Sequence, residues 1–264
     1  MRRARGSAGR GGRAPSAAVT GHHGKPQQLA RMLRRLETAT RAGWQRPARL
    51  VAALGLRPGA AVADIGAGSG YLTRRVARAV GPAGRVYAVD ADPRMLLALR
   101  TRLRRAGLAN VTLVLGDGDD PRLPAGSCDL VLLVNAYHHV VGGPRYLRRL
   151  AALLRRGGRL VNVDFHRRAT PVGPPVGRRI AREAFLRDAR QAGFRLLREE
   201  RFLPYQYLLV LAPAAAHPGA PSRVRVGPVQ ARGGGRGRTT AGARRSRISA
   251  AGRRPVRPTR RPSG

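Results

Sequence analysis

From residue 60 onward, short apolar runs alternate with segments whose apolar residues recur every three or four positions, the pattern of strands and amphipathic helices in turn. Ala61–Ile65 is an apolar run that enters a glycine-rich turn, and Tyr71–Val80 carries Leu72, Val76 and Val80 at helical spacing. Val86–Val89 predicts a second strand and Pro93–Ala106 a second helix, with Met95, Leu99 and Leu103 on one face and arginines opposite. Val111–Leu115 is a third strand, and the uninterrupted apolar run Leu130–Val134 is expected of a central strand covered on both faces. Tyr146–Leu154 reads as a helix stopped by Gly157–Gly158. Leu160–Phe165 follows as a strand and Arg182–Ala192 as a helix, before Phe194–Leu203 and Tyr207–Leu211 form a closing pair of strands. Before residue 60, Gln28–Ala42 and Arg46–Leu54 predict two helices, broken at Gly43 and Pro47. Five βα units in series predict an α/β fold built on a doubly wound sheet.

Composition changes this picture at the ends of the chain. The 264 residues include 52 Lys plus Arg against 13 Asp plus Glu, a formal net charge of +39, and every basic residue except Lys25 is arginine. Residues 1–27 hold six basic residues and residues 214–264 hold 13 arginines; neither segment holds an acid. Both read as disordered basic tails around a folded domain at residues 28–213. Weak, salt-sensitive association with polyanions is expected through those tails. The scarcity of lysine points to a general bias toward arginine, which raises the charge without selection for an anionic partner. A single cysteine, Cys128, excludes an internal disulfide framework and a cysteine-rich zinc site. No run reaches the roughly 20 apolar residues of a membrane span, and the Arg-rich start lacks the apolar core of a secretory signal, so a cytoplasmic location without membrane association is expected.

The densest chemical signal is Val62-Ala63-Asp64-Ile65-Gly66-Ala67-Gly68-Ser69-Gly70-Tyr71, where the first strand meets the first helix. Glycines there let the backbone lie against a ligand and take up positive φ. The dinucleotide fingerprint would be G-x-G-x-x-G, whereas this chain has G-x-G-x-G, with Asp64 just before the turn. A carboxylate at that point repels a pyrophosphate and welcomes a cation. The second strand ends in Asp90, where an acid can accept hydrogen bonds from ribose hydroxyls or cap the helix near Pro93.

The runs VADIGAGSGYLT, VYAVDADPRML, LVLGDGDD, LPAGSCDLVLLVNAYHHV and RRGGRLVNVDF, in that order, resemble the motifs of class I S-adenosylmethionine-dependent methyltransferases, and within these the small-molecule branch of the ubiquinone/menaquinone-biosynthesis type. The likeness covers about residues 44–212. It implies a Rossmann-like seven-stranded sheet with a C-terminal antiparallel pair and N-terminal helices covering the cofactor. It further implies that Gly66, Ala67, Gly68 and Gly70 hold the methionine part of S-adenosylmethionine, with Asp64 near its amino group. Asp90 and Ala91 would then lie at the ribose, Asp117 with Gly118 at the adenine, and Asn135 beneath the sulfonium. The stretch Gly116-Asp117-Gly118-Asp119-Asp120 leaves open whether Asp117 or Asp119 reaches the adenine amine.

Ligands in open α/β sheets sit outside the carboxyl ends of the strands. Three of the six histidines, His138, His139 and His166, fall at two such ends; His22, His23 and His217 lie in or beside the tails. Methyl transfer is an in-line displacement whose rate comes largely from positioning, and a neutral imidazole can take the proton of a hydroxyl or amine acceptor. His138 or His139 is the expected base, with Tyr137 orienting a small-molecule O or N acceptor and S-adenosylhomocysteine as product. His138, His139 and Asp164 make a poor metal set, because adjacent strand residues point opposite ways, and no metal is expected. The segment from Arg167 to Arg179 and the only tryptophan, Trp44, are candidates for the acceptor pocket. A nucleic-acid methyltransferase is the alternative, but Asn135-Ala136-Tyr137-His138 lacks the proline of the motif that stacks on an extruded base. A non-enzymatic nucleic-acid binder acting through its arginine tails is the second alternative.

Overall fold

The computed structural model describes residues 26–140 and 142–214, all within the first of two compact units, Met1–Gly219. The tails expected at 1–27 and 214–264 lie almost wholly outside the described residues. Seven strands form one sheet: β1 (Ala61–Ile65), β2 (Arg85–Asp90), β3 (Val111–Leu115), β4 (Cys128–Val134), β5 (Leu154–Phe165), β6 (Phe194–Glu200) and β7 (Gln206–Pro213). Their order is β3-β2-β1-β4-β5-β7-β6. The first five are parallel, while β7 runs antiparallel between β5 and β6. The expected Rossmann-like sheet with its closing antiparallel pair is therefore present.

Seven helices accompany the sheet among the described residues: α1 (Pro26–Leu36), α2 (Thr40–Gln45), α3 (Pro47–Ala53), α4 (Thr73–Val80), α5 (Pro93–Arg105), α6 (Gly143–Leu153) and α7 (Arg182–Gln191). Alternation along the strands sorts the core into two layers, as period-two side-chain geometry requires. Val62, Leu130, Leu132, Val161 and Val163 pack with Leu50 of α3, with Leu54 just after it, and with Val76 and Val80 of α4. Ala63, Val131 and Leu133 face the other way, onto Leu147 and Leu150 of α6 and Phe185 and Ala189 of α7. β1 and β4 are central and covered on both sides, so their residues are apolar apart from Asp64 and Asp129.

Three expectations need correction. The step from β3 to β4 carries no helix, so the βα units are not five in series. Residues 116–127, rich in Gly, Pro and Asp, cross there as a loop, and the strand order reverses between β1 and β4. Gly157 and Gly158 do not stop α6, which ends at Leu153; they lie within β5, Gly157 at φ +78°. Near the N-terminus three helices replace two. Gly43 lies inside α2, and the break falls at Arg46 (φ +47°), ahead of Pro47 at the first turn of α3.

Candidate functional site

The reversal between β1 and β4 opens a cleft at the carboxyl edge of the sheet, with a volume of about 320 Å³. Its floor is the glycine turn. Gly66 N and Ala67 N donate to the Val89 carbonyl at 2.9 and 3.0 Å, pinning the turn to the end of β2. Gly68 N donates to Asp90 Oδ2 at 2.8 Å, while Asp90 Oδ1 accepts from Asp92 N at 2.9 Å. Asp90 is thus fixed at the cleft, and the cap of α5 is Asp92, whose Oδ1 accepts from Arg94 N. Gly66 and Gly68 line the cleft at φ +74° and +55°. Gly70 does not. Its role is packing, since a Cβ there would come within 2.1 Å of Leu99 Cδ1 of α5.

Asp64 lies at the end of β1, buried, and its Oδ2 accepts from the Thr73 hydroxyl at 2.6 Å. Burial pushes its pKa up to about 6, with Asp90 adding to the rise and Thr73 and Arg41 opposing it. Arg41, on α2, lines the same cleft although it is only 8 % exposed. Burial lowers its pKa to about 10, which leaves it charged at neutral pH. Its guanidinium lies 4.1 Å from the Tyr71 ring centroid, as does that of Arg75, and the Tyr71 hydroxyl is buried without a partner. An acidic and a basic side chain, both largely buried, therefore line the same cleft.

Ala67, Ala91, Asp117, Gly118 and Asn135 also line the cleft. Of the two acids left open for the β3 loop, Asp117 faces the cleft, whereas Asp119 pairs with Arg145 and Arg149. Asp117 Oδ1 accepts from the Asp119 and Asp120 amides at 3.1 and 2.7 Å. Slight burial works upward on its pKa, but those bonds and Arg122 hold it below the usual range. From above, Met32 and Leu36 of α1 close the cleft. Glu37 clasps this cover to the floor: it accepts from the Ser69 hydroxyl at 2.7 Å and from Arg74 at 2.6 Å.

The histidines divide. His139 lines the cleft. His138 turns away, its Nδ1 held 3.1 Å from Asp164 Oδ2 and 3.2 Å from Oδ1, with its ring 4.1 Å from that of His139. His166 lies in a separate depression with Arg182 and Glu199. Burial, then Arg168, lowers its pKa. Tyr137 is a correction: it does not reach the cleft. It is 3 % exposed, packs edge-on against Phe185 and donates its hydroxyl to Asp188 at 2.6 Å. Trp44 packs on Phe165, with ring centroids 5.4 Å apart. The segment after β5 is gathered by the buried Arg179, which donates to the carbonyls of His166, Arg168, Val172 and Pro174. Cys128 is a buried free thiol, and Asp129 is structural, accepting from Ala61 N and Arg155.

Residues 62–158 match the sequence profile of a family described as a methyltransferase domain. Over that stretch the sequence is similar to this family of methyltransferase domains. Over 119 residues, 45% of this chain and 46% of the relative, the sequence is 36% identical to the ubiquinone/menaquinone biosynthesis C-methyltransferase of Ectopseudomonas mendocina. Over 112 residues, 42% of this chain and 40% of the relative, it is 37% identical to the nocamycin O-methyltransferase of Saccharothrix syringae. The chain thus spans less than half the length of these curated relatives. Among solved structures, a SAM dependent methyltransferase from Aquifex aeolicus superposes with a TM-score of 0.66 at 22% identity, covering 69% of this chain and 96% of that one. This likeness supports the fold of the domain.

The sequence placed the floor of the cleft and led us to expect N-terminal helices over it, but it did not single out the residues those helices bring to the lining. Arg41 was one arginine among 51, with no local pattern to separate it. Met32, Leu36 and Glu37 read as ordinary helix residues, because only tertiary packing brings them over the glycine turn. Among the described residues no helix is long and apolar enough to cross a membrane.

Proposed function

We propose that the chain transfers a methyl group from S-adenosylmethionine to a small molecule, and that residues 28–213 constitute the unit that does so. The observation that carries this reading is that Asp64 and Arg41 line one cleft together with a glycine turn. An α-amino acid is a zwitterion, and this pair presents one group to each of its ends: Asp64 to the amino group, Arg41 to the carboxylate. Gly66, Ala67 and Gly68 allow close backbone approach. Asp90 and Ala91, which line the same cleft, are assigned to the ribose, and Asp117 with Gly118 to the adenine. Methyltransferases of this class take such a cofactor.

The acceptor enters between Asn135 and His139. The cofactor supplies an electrophilic methyl on a sulfonium, and His139, exposed at the cleft, takes the proton that the acceptor loses. His138 acts from behind, its imidazole fixed by the buried Asp164. Calorimetric titration with S-adenosylmethionine and S-adenosylhomocysteine tests the core of the reading: micromolar binding is expected, and none up to millimolar concentration refutes it. Labelled methyl transfer to a small-molecule extract, set against total RNA, tests the acceptor class. His139→Ala is expected to reduce transfer far more than cofactor affinity.

A further inference from the structure

Acids and arginines are sorted to opposite edges of the sheet. β1 to β5 are parallel, and β7 is antiparallel to both β5 and β6. β6 therefore runs with the first five, and all six begin at the edge away from the cleft. Arg85 opens β2, Arg155 and Arg156 lie near the start of β5, Arg195 lies near the start of β6, and Arg57 stands between α3 and β1. The acid among them is Asp129, near the start of β4, and it is engaged: its Oδ2 accepts from Ala61 N at 2.7 Å and lies 3.0 Å from Arg155. At the other edge the balance reverses. Asp64, Asp90 and Asp164 stand at or next to strand ends, and Asp117, Asp119 and Asp120 follow the end of β3. A general bias toward arginine raises the number of cations, but it does not sort the acids to one edge.

The fold itself uses some of these arginines. Arg155 holds Asp129, Arg159 donates to the Leu54 and Gly55 carbonyls, and Arg198 donates to that of Ala53. Burial, then repulsion from Arg198 and Arg57, lowers the pKa of Arg159, so like charges crowd at this point. Arg57, Arg85, Arg156 and Arg195 are different. Each is exposed and makes no side-chain hydrogen bond or ion pair among the described residues. None lies in the last turn of a helix, so complementing a helix dipole does not account for them.

From β2 to β6 the edge crosses five strand intervals, about 24 Å at the usual spacing, or about seven phosphates along one strand of a duplex. The chain also leaves by this edge. Ala214 N donates at 2.7 Å to the carbonyl of Gly193, which precedes β6, and residues 215–264 hold 13 arginines and no acid. Between β2 and β5 the edge exposes no large apolar side chain of the kind that anchors a protein in lipid; Leu196 and Leu197 are exposed only at its far end, on β6.

We propose that this edge is a docking face for the phosphate backbone of a nucleic acid, gripped by Arg57, Arg85, Arg156 and Arg195 on the side of the domain away from the cleft. A planar guanidinium with free donors meets a phosphate in two parallel bonds, and a row of them follows a backbone without reading its bases. The nucleic acid is a docking partner and not the methyl acceptor, because it lies across the edge opposite the cleft. The proposal stands independently of the methyl-transfer reading above.

The test is the anisotropy of a labelled oligouridylate mixed with the full chain over a range of salt concentrations. For a single strand, each phosphate contact adds about 0.7 to the slope of log affinity against log salt. Arg57→Gln, Arg85→Gln, Arg156→Gln and Arg195→Gln together are expected to flatten that slope by about 3. Gln in place of Arg31, Arg34, Arg167 and Arg178, exposed arginines on the cleft side, removes the same charge and is expected to change the slope by less than about 1. Both variants keep the tails. Equal flattening in the two overturns the proposal, because net charge alone then explains binding. A slope that neither variant moves overturns it too, leaving binding to the tails, as does a wild-type chain that binds no oligouridylate. Tighter binding to phosphatidylserine vesicles than to the oligonucleotide, lost in the edge variant, assigns the face to lipid and overturns the choice of partner. Circular dichroism checks folding; if the fourfold edge variant does not fold, Arg156→Gln and Arg195→Gln singly are each expected to flatten the slope by about 0.7. Competition between oligouridylate and S-adenosylhomocysteine for the wild type overturns the placement away from the cleft.

Discussion

Asp64 is held under opposing demands. Its carboxyl is fully enclosed, and its pKa stands at about 6 against an ordinary 3.8. At neutral pH the folded chain therefore carries a buried carboxylate, compensated only in part by Thr73 and Arg41. A rise of about two units corresponds to about 3 kcal/mol, an upper bound on what relief could return. Asp64→Asn removes the charge and keeps an oxygen for the Thr73 hydroxyl. It is expected to stabilise the cofactor-free protein by about 1–3 kcal/mol at pH 7. The sign follows from linkage. A carboxyl whose folded pKa is raised contributes stability that is fully present below about 3.8 and lost as pH rises through about 6, so the gain from Asn vanishes in acid. Cofactor binding moves the other way, because the cationic amino group needs the ionised form. Wild-type affinity for S-adenosylhomocysteine should fall about tenfold between pH 7 and pH 5, and Asp64→Asn should bind weakly throughout that range. Denaturant titrations near pH 4 and pH 7, with calorimetry across pH 5–8, measure both. A variant less stable than wild type at pH 7, or a wild-type affinity that does not change with pH, refutes the assignment.

Gly70→Ala places a Cβ 2.1 Å from Leu99 at φ +80°; a loss of about 2 kcal/mol or more is expected from denaturant midpoints, and an unchanged midpoint counts against the packing role. Glu37→Gln weakens the clasp to Ser69 and Arg74. Release of S-adenosylhomocysteine, followed by stopped flow, should accelerate several-fold, while stability changes by less than about 1 kcal/mol because both partners of the ion pair are partly exposed. Tyr137→Phe removes the bond to Asp188 and should cost about 1–2 kcal/mol in stability while leaving methyl transfer largely intact; a hundredfold loss of activity would return Tyr137 to the reacting centre. Arg179→Lys keeps the charge but cannot span four carbonyls. It should open the segment after β5 to proteolysis and lower stability by about 2 kcal/mol.

The central strands were legible because each holds a short apolar run, and the sheet buries β1 and β4. The glycine turn was legible because glycine is needed where the backbone meets a ligand or takes positive φ. What pattern could not supply was direction in space. Tyr137, His138 and His139 are consecutive at one strand end, yet a short 3-10 turn sends Tyr137 to Asp188, His138 to Asp164 and His139 to the cleft. No periodicity marks such a divergence. Gln45 and Gln206 lie 161 positions apart and meet only because α2 folds over the start of β7. Their relevance depends on a partner, and a polar residue in an apolar run gives no sign of which partner that is. Asp119 and Asp117 were inseparable for the same reason, until Arg145 and Arg149 on α6 claimed one of them.

Charge shows the same limit from the opposite side. With only one lysine in the chain, arginine must supply the long donors that a fold uses to satisfy backbone carbonyls. Arg159 donates to Leu54 and Gly55, Arg75 to Tyr71, Arg168 to Pro204 and Arg198 to Ala53. Arg179 alone holds four carbonyls. A guanidinium whose fork is filled in this way still contributes to the field around the protein, but it has given up the donors that would grip a phosphate. Net charge counts Arg179 and an unengaged surface arginine equally, although the first is a structural pin. Arg41 is the informative case between them. Two of its nitrogens serve the fold, through Gln45 and Leu36, and the same residue lines the cleft together with Asp64.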